Sequence, residues 1–422
     1  MFRHDKCIQM ALVCLAALWF GCSASDNSGL DQAAADGQPD AQSPVERSAD
    51  MGLAPDMAPI DMAFVPPTEL PVVDEEMESF LNDNTQLEGA AVIIVHRDYG
   101  VIHRRAYGAF DEDRIYFVAS SSKMVAAGII NRLHDDGVLD MNAPVADIVD
   151  WGQAHPAITP VQLISNSSGL PGLLSETAWR GHRCQYLFDS ELKECAQTIF
   201  EAEIAPADQL AEPDTVFDYG GGQWQVAGGV AEIASGKTWA QLFDEIYVQP
   251  CGLTSSGFSH QFQFAPDEAP YDFAYPHQFE ANLENLQPTQ NPFIEGGLYT
   301  TLDDYAALLL MHLRGGLCGL ERVHPRETIA RMHADRILNT YLGSTGFFGF
   351  NGYGMGWWIE RIEGGVIIDP GAYGSWPYID PARNIAVLTV VEADILPEGI
   401  SLFTRIQPAI EAAIDGIEFP TD

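Results

Sequence analysis

Positive charge is what this chain has least of. Against 60 aspartates and glutamates stand 21 lysines and arginines, a net charge of −39 over 422 residues. So acidic a surface repels polyanions, which excludes nucleic acid and anionic lipid as partners. Metal patterns are missing as well: there is no Cys-x-x-Cys pair and no His-Glu-x-x-His helix. The Gly-x-Ser-x-Gly pentapeptide of the strand-to-helix nucleophile elbow is absent, which removes the motif support for an α/β Ser-His-Asp hydrolase. No internal repeat occurs, and the apolar run from Met10 to Phe20 is too short to span a bilayer. Lysine is scarcest of all, with only Lys6, Lys123, Lys193 and Lys237, so a lysine beside a cluster of serines stands out.

What is present begins with an address. "MFRHDKCIQMALVCLAALWFGC" has a basic start (Arg3, Lys6), the apolar run and a small residue before Cys22, the plan of an export signal over residues 1–21. Gly21-Cys22 resembles a bacterial lipoprotein processing site, with Cys22 as the lipid acceptor. Trp19 and Phe20 are bulkier than is usual there, which leaves ordinary cleavage nearby as the alternative. Residues 22–67, rich in Ala, Asp and Pro and without apolar periodicity, read as a disordered acidic tether. Residues 68–422 then form one domain, and 46% hydrophobic content is enough for a core. Beyond the signal and Cys22, Cys184, Cys195, Cys251 and Cys318 remain, an even number in an oxidising compartment. Cys184 and Cys195 share a polar loop and are paired first. Cys251 with Cys318 follows by elimination.

The domain opens with "PVVDEEMESFLND", where Val72, Val73, Met77, Phe80 and Leu81 recur at helical spacing. Two strand-like runs follow, joined at Asp98-Tyr99-Gly100. Its far end reads as short strands in "YGMGWWIERI", "GVIIDPGAYG", "SWPYIDPARN" and "IAVLTVVEA", then the amphipathic "GISLFTRIQPAIEAAID". Strands from both chain ends imply an antiparallel sheet closed by its termini, flanked by terminal helices, with a mostly helical insert over about 124–314. This is an α+β plan.

"FVASSSKMVAAGIINRL" places three serines just ahead of Lys123. On a helix i and i+3 share a face, so Ser120 is the serine that can direct its hydroxyl at the lysine amine. A serine needs a neighbour to take its proton, and a lysine serves if burial or positive potential lowers its pKa. The same spacing recurs at Ser190 and Lys193 in a charged loop, so the pattern alone does not settle the matter, and capping of a serine-rich helical turn is the structural alternative.

The wider context favours Ser120. "IYFVASSSKMVAAGIINRLHDDGVLDMNAPVADIV", "LISNSSGLPG", "VFDYGGGQWQVAGG", "NPFIEGGLYTTLDDYAALLLMHLRGG" and "DPGAYGSWPYID" resemble, over almost the whole domain, the penicillin-recognising serine hydrolases: class C β-lactamases, D-alanyl-D-alanine peptidases and their esterase relatives. The resemblance implies a β-lactamase/transpeptidase-like fold, Ser120 as nucleophile, Lys123 as activator or base and no cofactor. It makes Tyr219 the general acid or base, with Lys123 as the cation that helps it ionise, and the backbone N–H of Ala372 an oxyanion donor beside that of Ser120. Three positions depart from the family. Gly221 stands where the Tyr-x-Asn element has its asparagine, Asn166 where histidine is usual, and Asp369-Pro370-Gly371 where the third element carries a cation. Asp369 would repel a substrate carboxylate or, as a strand-end residue, bond local backbone, while Gly371 lets a ligand approach the strand. Of Trp224, Trp357, Trp358, Tyr373 and Trp376, one or two are expected to line an acyl pocket.

These readings lead to an exported serine hydrolase in the bacterial cell envelope, acting on small neutral or apolar esters and on amides as a second class. The chain is expected to be a monomer, touching a membrane only through its lipid. A β-lactamase or D-amino-acid-type peptidase of the same fold is the first alternative. A non-catalytic surface binding protein is the second, and retention of Ser120, Lys123 and Tyr219 together argues against it.

Overall fold

A strand that is apolar from Ala90 to Val95 has no face to give to water, and Gly89–His96 (β1) is buried along its whole length. Because strand side chains alternate, Ala91, Ile93 and Val95 enter one core while Ala90, Val92 and Ile94 enter another on the opposite face. The computed structural model describes residues 64–173, 183–202, 211–265, 274–337, 350–362, 364–393 and 397–420. The export signal, Cys22 and the tether as far as residue 63 lie outside these.

β1 turns through Gly100, whose φ of +73° suits glycine, into Gly100–Gly108 (β2). Three short strands, Tyr116–Phe117 (β3), Gly257–Phe258 (β4) and Leu298–Thr300 (β5), form a small sheet in the order β3-β5-β4. Leu317–Cys318 (β6) and Glu321–Arg322 (β7) make a hairpin. The far end supplies Gly352–Tyr353 (β8), Trp358–Ile359 (β9), Ile367–Ile368 (β10), Trp376–Asp380 (β11) and Ile385–Val391 (β12). The main sheet runs β2-β1-β12-β11-β10-β9-β8, all antiparallel. Its seam joins the two chain ends, with Ala90 opposite Val391 and His96 opposite Ile385.

Helix Pro71–Asp83 (α1) buries Val73, Met77 and Phe80, whereas Val72 faces solvent. It packs on one sheet face beside the C-terminal helix, which buries Leu402, Phe403, Ile406, Ile410 and Ile414. Between these lie Lys123–Asp135 (α2), Leu192–Phe200 (α3), Gly222–Ser235 (α4) and Leu302–Leu313 (α5), and the C-terminal helix Pro397–Asp415 is α6. α5 covers the other face of β1 and β12. This is the α+β arrangement expected of the sequence. Two details differ from expectation. Phe64, placed within the tether by composition, packs edge-on against Tyr99 at 5.0 Å and tilted against Phe419 at 5.7 Å. The stretch assigned as a helical insert also contributes β4 and β5, too short to leave a strand period. Cys184 is bonded to Cys195 and Cys251 to Cys318, as paired from the sequence.

Candidate active site

Ser120 lies where a strand becomes a helix. β3 pairs with β5, and Ala119 then turns the chain with φ +44°, a left-handed conformation that costs a non-glycine residue about 1–3 kcal/mol and persists only where its surroundings enforce it. Ala119–Ser122 form one 3₁₀ turn before α2 begins at Lys123. The sequence suggested an α-helical pair, and the tighter turn aligns i and i+3 more closely still. Lys123 Nζ donates to Ser120 Oγ at 3.0 Å. Ser120 is half-buried and reachable, while Lys123 is wholly buried.

Ser121 and Ser122 fix this turn. Ser121 Oγ donates to Asp369 O at 2.6 Å and lies 2.8 Å from Ser375 Oγ, which reaches Val118 O at 2.8 Å. Ser122 Oγ donates to Ala119 O at 2.6 Å and accepts from Leu298 N–H at 3.0 Å. By contrast the second Ser-x-x-Lys match is structural. Ser190 Oγ donates to carbonyls of its own loop and accepts from Asn291 Nδ2 at 2.8 Å, while Lys193 is exposed on α3.

Tyr219 comes to the same point from the turn before α4. Its side chain interacts with Ser120, and its ring centroid lies 4.8 Å from Lys123 Nζ. Trp358 tilts over that ring at 5.2 Å, and Tyr353 meets it edge-on at 6.0 Å. Asn166 builds the turn: its Oδ1 accepts from Gly220 N–H at 3.0 Å, Gln223 Nε2 at 3.3 Å and Trp224 Nε1 at 2.8 Å. Its own φ of +56° is one that asparagine tolerates better than most residues. At Gly221 φ is +81°, and a Cβ would lie 3.0 Å from Pro171 O, so a side chain there would be strained and tightly packed against backbone.

Glu295, which the sequence reading overlooked, completes the cluster. It is 3% exposed; its Oε2 lies 3.2 Å from Lys123 Nζ, and its backbone carbonyl accepts from the same nitrogen at 3.0 Å. The one available signal was a lone acid in an apolar run, "FIEGGLY". Burial pulls the Lys123 pKa down, but attraction to the neighbouring acidic groups Tyr219, Glu295 and Asp369 outweighs it and raises the pKa above the ordinary lysine value. The lowered lysine pKa expected from burial and the helix start is therefore not found. Tyr219 is also pushed up, by burial, with Lys123 pulling the other way.

Several expected substrate contacts turn out to be framework. Asp369, just past β10, is completely buried, and its Oδ2 accepts from Met124 N–H at 3.0 Å. It caps α2 from a neighbouring strand, so it faces no substrate. Burial drives its carboxyl well above the usual range, with Lys123 and the Met124 N–H opposing. At Gly371 a Cβ would sit 2.0 Å from Val118 O, so what the glycine admits is the nucleophile strand, not a ligand. Tyr373 packs at 2% exposure among Phe117, Ala119, Tyr275 and Phe279. Trp224, Trp357 and Trp376 are fully buried, and Trp358 is the one that lies on Tyr219. Ala372 is half-buried beside the Ser120 turn, with its N–H one residue beyond Gly371.

A serine reachable from solvent, backed by a buried lysine and a tyrosine at the foot of an antiparallel sheet, defines a serine-hydrolase centre of the β-lactamase/transpeptidase fold. Residues 72–408 match the profile of the Beta-lactamase family, and the chain belongs to that family. Among curated relatives, Penicillin-binding protein 4 of Amycolatopsis lactamdurans is 25% identical over 76% of this chain and 82% of its own length. Esterase EstB of Burkholderia gladioli is 30% identical over 40% of this chain and 46% of its own. A putative β-lactamase from Bacteroides dorei superposes with a TM-score of 0.65 at 25% identity, covering 82% of this chain and 99% of the other.

Proposed function

We propose that this protein is an exported serine hydrolase that cleaves small neutral or apolar esters through an acyl-enzyme on Ser120. Ser120 Oγ attacks the ester carbonyl and its proton passes into the Lys123–Tyr219 pair. The N–H groups of Ser120 and Ala372 hold the oxyanion, the alcohol leaves with a proton from Tyr219, and water releases the acid. The observation that carries the ester preference is the fate of the two recognition positions: Asp369 is walled in beneath α2, and Gly221 has no side chain. Neither a cation for a substrate carboxylate nor an amide for an acyl-amide group is supplied from them. The esterase among the relatives supports the same choice. The sequence of residues 1–21 and Cys22 supports, in this reading, export to the cell envelope with a lipid tether, and the enzyme acts as a monomer.

The test compares the purified protein with Ser120→Ala on a p-nitrophenyl short-chain ester and a chromogenic cephalosporin. Ester turnover lost with Ser120 and little cephalosporin cleavage are expected. Rapid Ser120-dependent cephalosporin cleavage would replace the ester reading with a β-lactamase, and no Ser120-dependent turnover of either would favour a binding protein or an amide substrate.

A further inference from the structure

Lys123 Nζ donates hydrogen bonds to Ser120 Oγ and to Glu295 O, each at 3.0 Å, and forms an ion pair with Glu295 Oε2 at 3.2 Å. A carboxylate this close in a buried site favours the ammonium form of the lysine, which has no lone pair to receive the serine proton. The second carboxylate oxygen is also engaged, accepting from Gln185 Nε2 at 3.3 Å, while Oε2 accepts from Gly221 N–H at 2.9 Å. Gly220 makes room for it, since a Cβ there would lie 2.8 Å from Glu295 Oε2. Glu295 is thus a buried acid with a clearing at Gly220 and a backbone donor at Gly221.

We infer that Glu295 is a positioning residue of this hydrolase: its carboxylate clamps Lys123 as an ammonium that donates to Ser120, so that Tyr219 alone takes the serine proton. The inference rests on the hydrolase reading above in treating Ser120 as the attacking group. In the acylation step the Ser120 O–H bond breaks, its proton moves to the Tyr219 phenolate oxygen, and the serine oxygen bonds the carbonyl carbon. Lys123 keeps all three protons throughout. Three titratable groups face the Lys123–Glu295 pair: Tyr219 from the turn before α4, Asp369 from the end of β10 and Tyr353 from β8. Asp369 is in turn faced by Tyr305 of α5. The Glu295 charge raises both Lys123 and Tyr219, so kcat/KM should climb toward alkaline pH as Tyr219 ionises.

The scarcity of lysine makes this measurable. Protein grown with 13C-lysine gives a few ε-carbon signals, and that of Lys123 is the one missing from Lys123→Arg. In the wild type this signal should keep its ammonium position through the whole rising limb of the ester kcat/KM profile. In Glu295→Gln, which keeps the shape and removes the charge, the limb and the Lys123 titration should both move to lower pH by about 1–3 units, the size of a close charge partner's effect. A wild-type Lys123 signal that titrates together with the limb would make lysine the base and overturn the inference. So would a Glu295→Gln protein whose limb and lysine signal stay where they were. If Glu295→Gln does not fold, the wild-type titration decides alone. Absence of Ser120-dependent turnover would sink the hydrolase reading instead, and a Lys123 that loses its proton below the ordinary lysine range, about 10.4, would then still refute the clamp.

Discussion

Replacing Gly371 by alanine should damage catalysis through a backbone contact that no ligand shares. The new Cβ would stand 2.0 Å from Val118 O and 2.3 Å from Ser375 Oγ, where ordinary contact begins at 3.4 Å. The loop after β10 and the strand leading to Ser120 must therefore separate by more than an ångström, and neither neighbour is free to yield. Val118 N–H is bonded to Leu298 O at 3.1 Å, and the Ser375 hydroxyl to Val118 O at 2.8 Å. Overpacking of this kind costs about 1–3 kcal/mol. Because Ala372 and Ser120 supply the two proposed oxyanion donors from the two sides of that contact, a misplacement of about 1 Å should cost on the order of 100-fold in kcat/KM. Urea denaturation and ester kinetics measure the two effects. Gly100→Ala is the control: its φ is +73° and a Cβ there meets nothing within 4 Å, so it should lose about 1–2 kcal/mol of stability and keep wild-type kcat/KM. A Gly371→Ala enzyme with wild-type stability and activity would refute the account of the strand contact.

Asp369→Asn should be tolerated, whereas Asp369→Ala, which orphans the buried Met124 N–H, should lose about 1–3 kcal/mol by denaturation. The sign of its pH dependence follows from the raised carboxyl: above about pH 4 the unfolded chain releases this proton while the folded chain keeps it. Asp369 therefore lowers wild-type stability as pH rises until the folded group titrates, and Asp369→Asn should flatten that part of the stability profile. Removing Cys251–Cys318, which spans 67 residues, should destabilise the protein by about 1.5 kcal/mol more than removing Cys184–Cys195, which spans 11. Equal losses from the two paired Cys→Ala variants would show that loop entropy does not set the difference.

The architecture was legible in the sequence where periodicity is sustained. The eight buried residues of β1, the stripe Val73, Met77 and Phe80, and the final helix each carry enough repeats to declare themselves. β3, β4 and β5 carry only two or three residues each, and their existence depends on one another across the fold. At the site, the link between Ser120 and Lys123 was readable because it is local. Asp369 and Glu295 reach this helix start from residues more than 170 positions further along the chain. No spacing rule announces that one caps α2 and the other grips its first residue. The departures at 166 and 221 looked like losses and have structural counterparts instead, an acceptor that ties the Tyr219 turn and a tight, positive-φ position that suits glycine.

The seam between β1 and β12 also governs when the enzyme can exist. Ser120 emerges early in synthesis, but Asp369 and Ser375, which fix its turn, follow some 250 positions later, and β12 closes the sheet later still. Contacts this distant in sequence form slowly, since the loop between them must be closed first. A growing or threaded chain therefore carries its serine without the contacts that fix its turn, and the proposed centre is complete only after the later segments have folded onto it. For a protein whose proposed workplace lies across a membrane, that order of assembly keeps the nucleophile silent until the chain is whole.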